Sequence, residues 1–223
     1  MRWWPARRKK TAAVPADPPP PPEPLTGPAW VVSDEVPVEG YAAGDPEVEL
    51  ARLVEAIREV DAFLTECGLQ DPAYSEVFRT QNAILHDVTW LRAATREITK
   101  GAPAPIATHA AFSDISGIFD AITNPTLRER GTDVRSIGRL IRSSLTGAPL
   151  RRAEPSVPSV WIVEELDAVT AMQISESTCV GVVATSDLVS GHGIEIATAR
   201  GFTCLTGHQR AAEAHNGAEV SFP

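Results

Sequence analysis

The sequence predicts an α/β domain whose chain is interrupted by a bundle of four amphipathic helices. Three observations predict it. Apolar residues recur at helical spacing from Leu50 to Leu145; after Arg152 the chain changes to short apolar runs; and one similar run, Ala29–Ser33, precedes the helices. Strands on both sides of the helices can pair into one sheet, which makes the bundle an insertion. The boundaries expected are 28–44 plus 152–223 for the α/β part and 45–151 for the bundle.

Residues 1–27 are expected to be a disordered basic, proline-rich tail. Pro18–Pro22 is an unbroken proline run with Pro15, Pro24 and Pro28 around it, a composition that favours extended, solvated backbone. Ala29–Ser33 is then a strand, and Val36–Tyr41 a second candidate. Asp45-Pro46 supplies a helix N-cap followed by proline at the first helical position. Leu50, Leu53, Ile57 and Leu64 carry the first helix to Gly68. A second helix is expected from Ala73 to Lys100, where Gly101-Ala102-Pro103 breaks it. The third spans Ile106 to Ile122, and Asn124-Pro125 opens a fourth that ends at Gly147. Beyond Arg152, Trp161–Val163, Cys179–Ala184, Phe202–Leu205 and Glu219–Phe222 read as strands, with helices at 168–175 and 193–200 between them.

The composition narrows the function. The 223 residues carry a net charge of −9 with 43% hydrophobic content, ordinary for a globular chain. Arg2, Arg7, Arg8, Lys9 and Lys10 concentrate positive charge in a start that has no acid, so the rest is more acidic still. Such a body repels nucleic acid and suits a basic protein partner. Cys67, Cys179 and Cys204 are odd in number and form no Cys-x-x-Cys pair, which reads as reduced, buried thiols. No stretch has the apolar length of a membrane span, and the basic start runs into prolines, unlike a secretory signal. A cytoplasmic protein is expected.

Ser190-Gly191-His192-Gly193 lies between the apolar run Cys179–Ala184 and the amphipathic stretch Ile194–Arg200. Strand, glycine-rich turn, helix: the order puts the His192 imidazole at a helix N-terminus, where unpaired N–H groups and the helix dipole favour a bound oxyanion. A nucleophilic imidazole beside an anion site suggests phosphoryl transfer through phosphohistidine. Cys204, His208 and His215 lack a fourth ligand for a closed zinc site, so no metal is expected. Arg128, Arg130, Arg135, Arg139 and Arg142 suggest a phosphate patch on the fourth helix. Helical spacing spreads them over several faces, however, and with Glu129 and Asp133 they read better as a solvated, salt-bridged surface.

The fourth helix is also the most specific stretch. Asn124-Pro-Thr-Leu-Arg-Glu-Arg-Gly-Thr-Asp-Val-Arg-Ser-Ile-Gly-Arg-Leu-Ile-Arg resembles a helix of the N-terminal domain of enzyme I, the phosphoenolpyruvate–protein phosphotransferase of the bacterial sugar phosphotransferase system. Leu127, Glu129, Arg130, Asp133, Val134, Arg135, Ile137 and Gly138 fall in register with it. The segment around Phe78, Gln81, Leu85 and Asp87 resembles the family's docking helix for the phosphocarrier HPr, and 190–207 resembles its active-site run. The resemblance implies an α/β swivelling phosphohistidine domain interrupted by a four-helix HPr-binding bundle. It implies His192 as phosphoacceptor, with Ser190, Gly191 and Gly193 around it. Phe78, Gln81, Leu85 and Asp87 become partner-binding residues.

The implied partners are an HPr-like phosphocarrier and a separate enzyme I or barrel protein. No cofactor is expected in this chain, because in the family phosphoenolpyruvate and magnesium belong to a C-terminal barrel that is absent here. The pattern departs at Asp187-Leu188-Val189-Ser190-Gly191-His192, where the family has Gly-Gly-x-Thr-Ser-His. The family's docking-helix histidine falls on Gln81, and its active-site threonine on Ala171, next to Thr170. These departures define the alternative expectation, a catalytically degenerate interaction or regulatory module on the same fold.

Overall fold

The computed structural model describes residues 24–38, 40–42, 44–187 and 191–223. Strand β1 (Leu25–Val31) is followed by helices α1 (Pro46–Gln70), α2 (Ser75–Leu85), α3 (Val88–Thr99), α4 (Ala104–Asp120) and α5 (Pro125–Thr146). Then come β2 (Ser159–Val163), α6 (Ala168–Gln173), β3 (Cys179–Ala184), α7 (Gly191–Ala199), β4 (Cys204–Leu205) and β5 (Glu219–Phe222). The sheet order is β4-β3-β2-β1-β5, with β5 antiparallel to β1 and the other pairs parallel. Helices α1–α5 therefore enter the chain between two adjacent strands of one sheet.

Alternation along the strands divides the core. Trp161, Val163 and Val182 point to the face shared with α6, α7 and the helices; Val160, Ile162 and Val183 point to the other, with Leu25 and Ala211. All of β2 is buried, as a central parallel strand must be. Among the described residues no helix is long and apolar enough to cross a membrane.

Helix starts follow their caps. Asp45 Oδ1 accepts from the Glu47 N–H at 2.8 Å, and Asn124 caps α5 by accepting from the Leu127 N–H. Gly147 closes α5 in the left-handed region at φ 75°. Helix α4 has no cap of its own at Pro103. Its first N–H, that of Ala104, donates to buried Glu49 Oε2 of α1 at 2.7 Å.

Several expectations are corrected. The chain expected to be tail to residue 27 already pairs as β1 from Leu25, and Pro28 of that strand stands opposite Glu219 of β5. The rest of the predicted tail, 1–23, lies outside the described residues. Val36–Tyr41 forms no strand among its described residues.

Gly68 does not end α1. It lies inside the helix, where a Cβ would meet Phe78 Cβ at 3.2 Å, so it serves the contact with α2. The single helix expected over 73–100 is two, so the insert holds five helices where four were expected. The break is at Asp87, whose carboxylate accepts from the Thr89 N–H at 2.7 Å and starts α3 afresh. The bend lets Trp90 bury fully: its indole N–H donates to the Ile84 carbonyl across the break, and its ring packs 4.8 Å from Phe112. The third predicted helix starts two residues earlier, at Ala104, and stops at Asp120. The arginines of α5 are not all solvated: Arg139 is buried at 4% exposure.

Candidate functional site

In open parallel sheets, ligands bind beyond the carboxyl ends of the strands. Here those ends carry Val32–Asp34 after β1, Glu164–Asp167 after β2, and Thr185–His192 after β3. Of the expected site residues, Gly191 and His192 stand in the last of these. Gly191 is the first residue of α7, exposed; His192 follows, half-buried; Gly193 is buried. Ser190 lies outside the described residues. The imidazole is thus on the first turn of a nine-residue helix, as the strand–turn–helix order predicts.

Gly193 is a packing residue. A Cβ there would lie 1.9 Å from the Leu166 carbonyl oxygen and 3.0 Å from the Asp167 carbonyl carbon, so only glycine lets α7 start this close to the turn before α6. That turn is capped by Asp167. Its Oδ1 accepts from the Thr170 N–H and the Ser136 hydroxyl, each at 3.0 Å, and its Oδ2 from the Thr170 hydroxyl at 2.7 Å. Burial pushes the Asp167 carboxyl up, but the Arg139 and Arg152 guanidiniums and the Thr170 bonds outweigh it and hold the group below the ordinary range. Thr170 is therefore committed to Asp167, and does not take the place of the family threonine beside the histidine.

His192 interacts electrostatically with Asp133 of α5. Buried Asp133 accepts from Gln81 Nε2 at 3.4 Å and stands 3.8 Å from Arg130. Burial pushes the Asp133 carboxyl above its ordinary value. The hydrogen bond from Gln81, then the electrostatic interactions with His192 and Arg130, oppose the rise without cancelling it. The sequence pointed to Asp133 only as a surface ion-pair partner; nothing in one chain's pattern tells that α7 will face it.

Phe78, Gln81 and Leu85, expected at a partner surface, are buried at 3%, 0% and 0% exposure, and only Asp87 is exposed. All three side chains are buried in the core between α1, α2 and α5. Burial also pushes the Cys67 thiol up to about 11 and the Cys179 thiol to about 12, which keeps both protonated. Among the described residues no three His, Cys, Asp or Glu side chains converge as metal ligands.

Residues 25–130, just under half of the chain, match the family model described as "PEP-utilising enzyme, N-terminal". In fold the chain is similar to enzyme I N-terminal domains. It superposes on a solution structure of enzyme I with a TM-score of 0.61 at 17% identity, covering 91% of this chain and 86% of that one. It superposes on the N-terminal domain of the nitrogen enzyme I with a TM-score of 0.57 at 22% identity, covering 91% of each chain. A protein of Escherichia coli (strain K12), described as "Phosphoenolpyruvate-dependent phosphotransferase system", is 24% identical over 174 residues, which are 73% of this chain and 22% of that protein. The chain thus spans about a fifth of that relative's length.

Proposed function

We propose that His192 exchanges a phosphoryl group with an HPr-like phosphocarrier docked on the helical insert, 45–151, within a phosphoenolpyruvate-dependent phosphotransferase system. The observation that carries the reading is the placement of His192. It is a half-buried imidazole on the first turn of α7, at the carboxyl ends of the parallel strands, close enough to interact electrostatically with Asp133 of α5 in the insert. In the transfer, the P–N bond to the carrier's histidine breaks as a bond from a His192 ring nitrogen to phosphorus forms. The departing carrier nitrogen keeps the electron pair. The N–H groups and dipole at the start of α7 favour the incoming charge, and positioning does the remaining work.

Incubation with phosphorylated HPr, read by intact mass, tests this. An acid-labile adduct of about 80 Da that is lost in His192→Ala is the expected result. Absence of the adduct, where an enzyme I N-terminal domain is labelled under the same conditions, overturns it. The second reading, a regulatory module without transfer, is favoured by the lack of paired glycines before His192 and by Gln81 in place of a histidine. On that reading HPr perturbs the resonances of α2–α4 while no adduct forms.

A further inference from the structure

Helix α5 holds a second feature apart from His192. Arg135, Arg139 and Arg142 recur at four- and three-residue spacing and so share one face, which lines a cavity of ≈ 200 Å³ against α4 and the strand ends. The three are differently satisfied. Arg135 is fully engaged: Nε and Nη2 donate to Glu165 at 3.0 and 2.7 Å, and Nη1 to Asp120 at 2.9 Å. Arg139, at 5% side-chain exposure, has one ionic partner, Asp34, 3.4 Å from Nε. Asp34 is bound more tightly by Arg152, and the Arg139 Nη2 is buried with no hydrogen-bond partner. Arg142 has neither ion pair nor side-chain hydrogen bond among the described residues, and its Nε is also buried and unpartnered.

Charge is left over. Asp34 and Asp167 answer two of the three guanidiniums of Arg139, Arg142 and Arg152, and the Asp167 oxygens are already taken by Thr170 and Ser136. Glu164 is exposed at the rim, where water screens it. Buried guanidinium N–H groups without acceptors are costly. Burial, with Arg152 adding repulsion, pulls Arg139 down to about 10 despite Asp167 and Asp34. His109 and Ser113 of α4 stand at the same cavity and offer further donors.

We propose that this cavity is a binding site for a compact oxyanion, a phosphate or carboxylate group, gripped by Arg139 and Arg142 with His109 at its mouth. The volume admits roughly seven water-sized groups, which fits a small ion and not a nucleotide. The site is separate from the phosphoacceptor. Its link to it is Asp167, which interacts with Arg139 on one side and caps the turn that supports Gly193 on the other.

The test is an NMR titration of the full chain with inorganic phosphate, and in a parallel arm with succinate, at ionic strength held constant with sodium chloride. A saturable shift of the His109 imidazole is expected, with His208 and His215 unmoved, and with the same response in His192→Ala. Arg142→Gln is expected to bind at least about tenfold more weakly, the loss of one charge-assisted contact. If Arg142→Gln does not fold, Arg142→Lys, which keeps charge without the planar fork, is expected to bind more weakly than wild type. Thermal unfolding of the wild type gives a second readout, with Tm rising in phosphate or succinate beyond the chloride control. Response to one arm only identifies the oxyanion. No saturable response in either arm, equal binding by the folded variant, or loss of the His109 shift in His192→Ala overturns the proposal.

Discussion

Gly193 and Leu166 stand so close that a Cβ on the glycine would lie 1.9 Å from the leucine carbonyl oxygen. The contact sets the start of α7, and with it His192, against the turn capped by Asp167. Gly193→Ala is expected to force α7 away, at a cost of about 1–3 kcal/mol or more, read by urea unfolding. The same variant is expected to lose His192 labelling by phosphorylated HPr. Gly117→Ala is the contrast: nothing lies within 4 Å of a Cβ there, so the helical gain of about 0.5–1 kcal/mol is expected as stabilisation.

Gly138 of α5 meets Phe112 of α4 in the same manner, with a Cβ 2.7 Å from the ring's Cγ. Phe112 is buried and also packs on Trp90. Gly138→Ala is expected to destabilise by about 1–3 kcal/mol through overpacking. Trp90 fluorescence during denaturation reports it directly.

Asp133 and Asp167 are two buried carboxylates with opposite pH behaviour. Asp167 is held below its ordinary value of 3.8, so its contribution is fully present above about pH 4 and is lost as pH falls through its folded value. Asp167→Ala leaves Arg139 and Arg152 without that partner and is expected to cost about 3–5 kcal/mol at pH 7. Its stability is expected to fall less steeply below pH 4 than that of the wild type.

Asp133 is raised, so its charged form opposes folding at neutral pH, and protonation relieves this as pH falls through the folded value. Asp133→Asn is therefore expected to be at least as stable as wild type at pH 7, with the difference shrinking toward pH 4. Its His192 labelling is expected to fall. Denaturation at both pH values, with labelling kinetics, checks the pair of outcomes.

Phe78→Ala and Leu85→Ala are expected to lower stability by about 3–5 and 2–5 kcal/mol, because both side chains are in the core. Asp87→Ala removes the α3 cap for a smaller loss of about 1 kcal/mol. If Phe78→Ala weakened HPr binding with unchanged unfolding, Phe78 would be a contact residue after all.

Much of this was legible in the chain. Asp45-Pro46, Asn124-Pro125 and Gly147 are local cap chemistry, and they place helix ends where the structure has them. The runs 179–184 and 219–222 match β3 and β5 residue for residue. The break between α2 and α3 was missed because amphipathic spacing continues across it. The deciding event, burial of Trp90 against Phe112, lies 22 residues away in sequence.

By itself, then, the sequence determined most of the element order, the caps at Asp45, Asn124 and Gly147, the sheet formed across an insertion, and the histidine at the start of α7. These follow from interactions within a few residues or from periodicity. Tertiary structure alone decided that Gly193 abuts Leu166, that Asp133 faces His192, and that Arg139 is buried beside Arg142. Each depends on two segments meeting that are far apart in the chain. Spacing on one helix names a face, and only the packed neighbour says whether that face meets water, a carboxylate or a cavity.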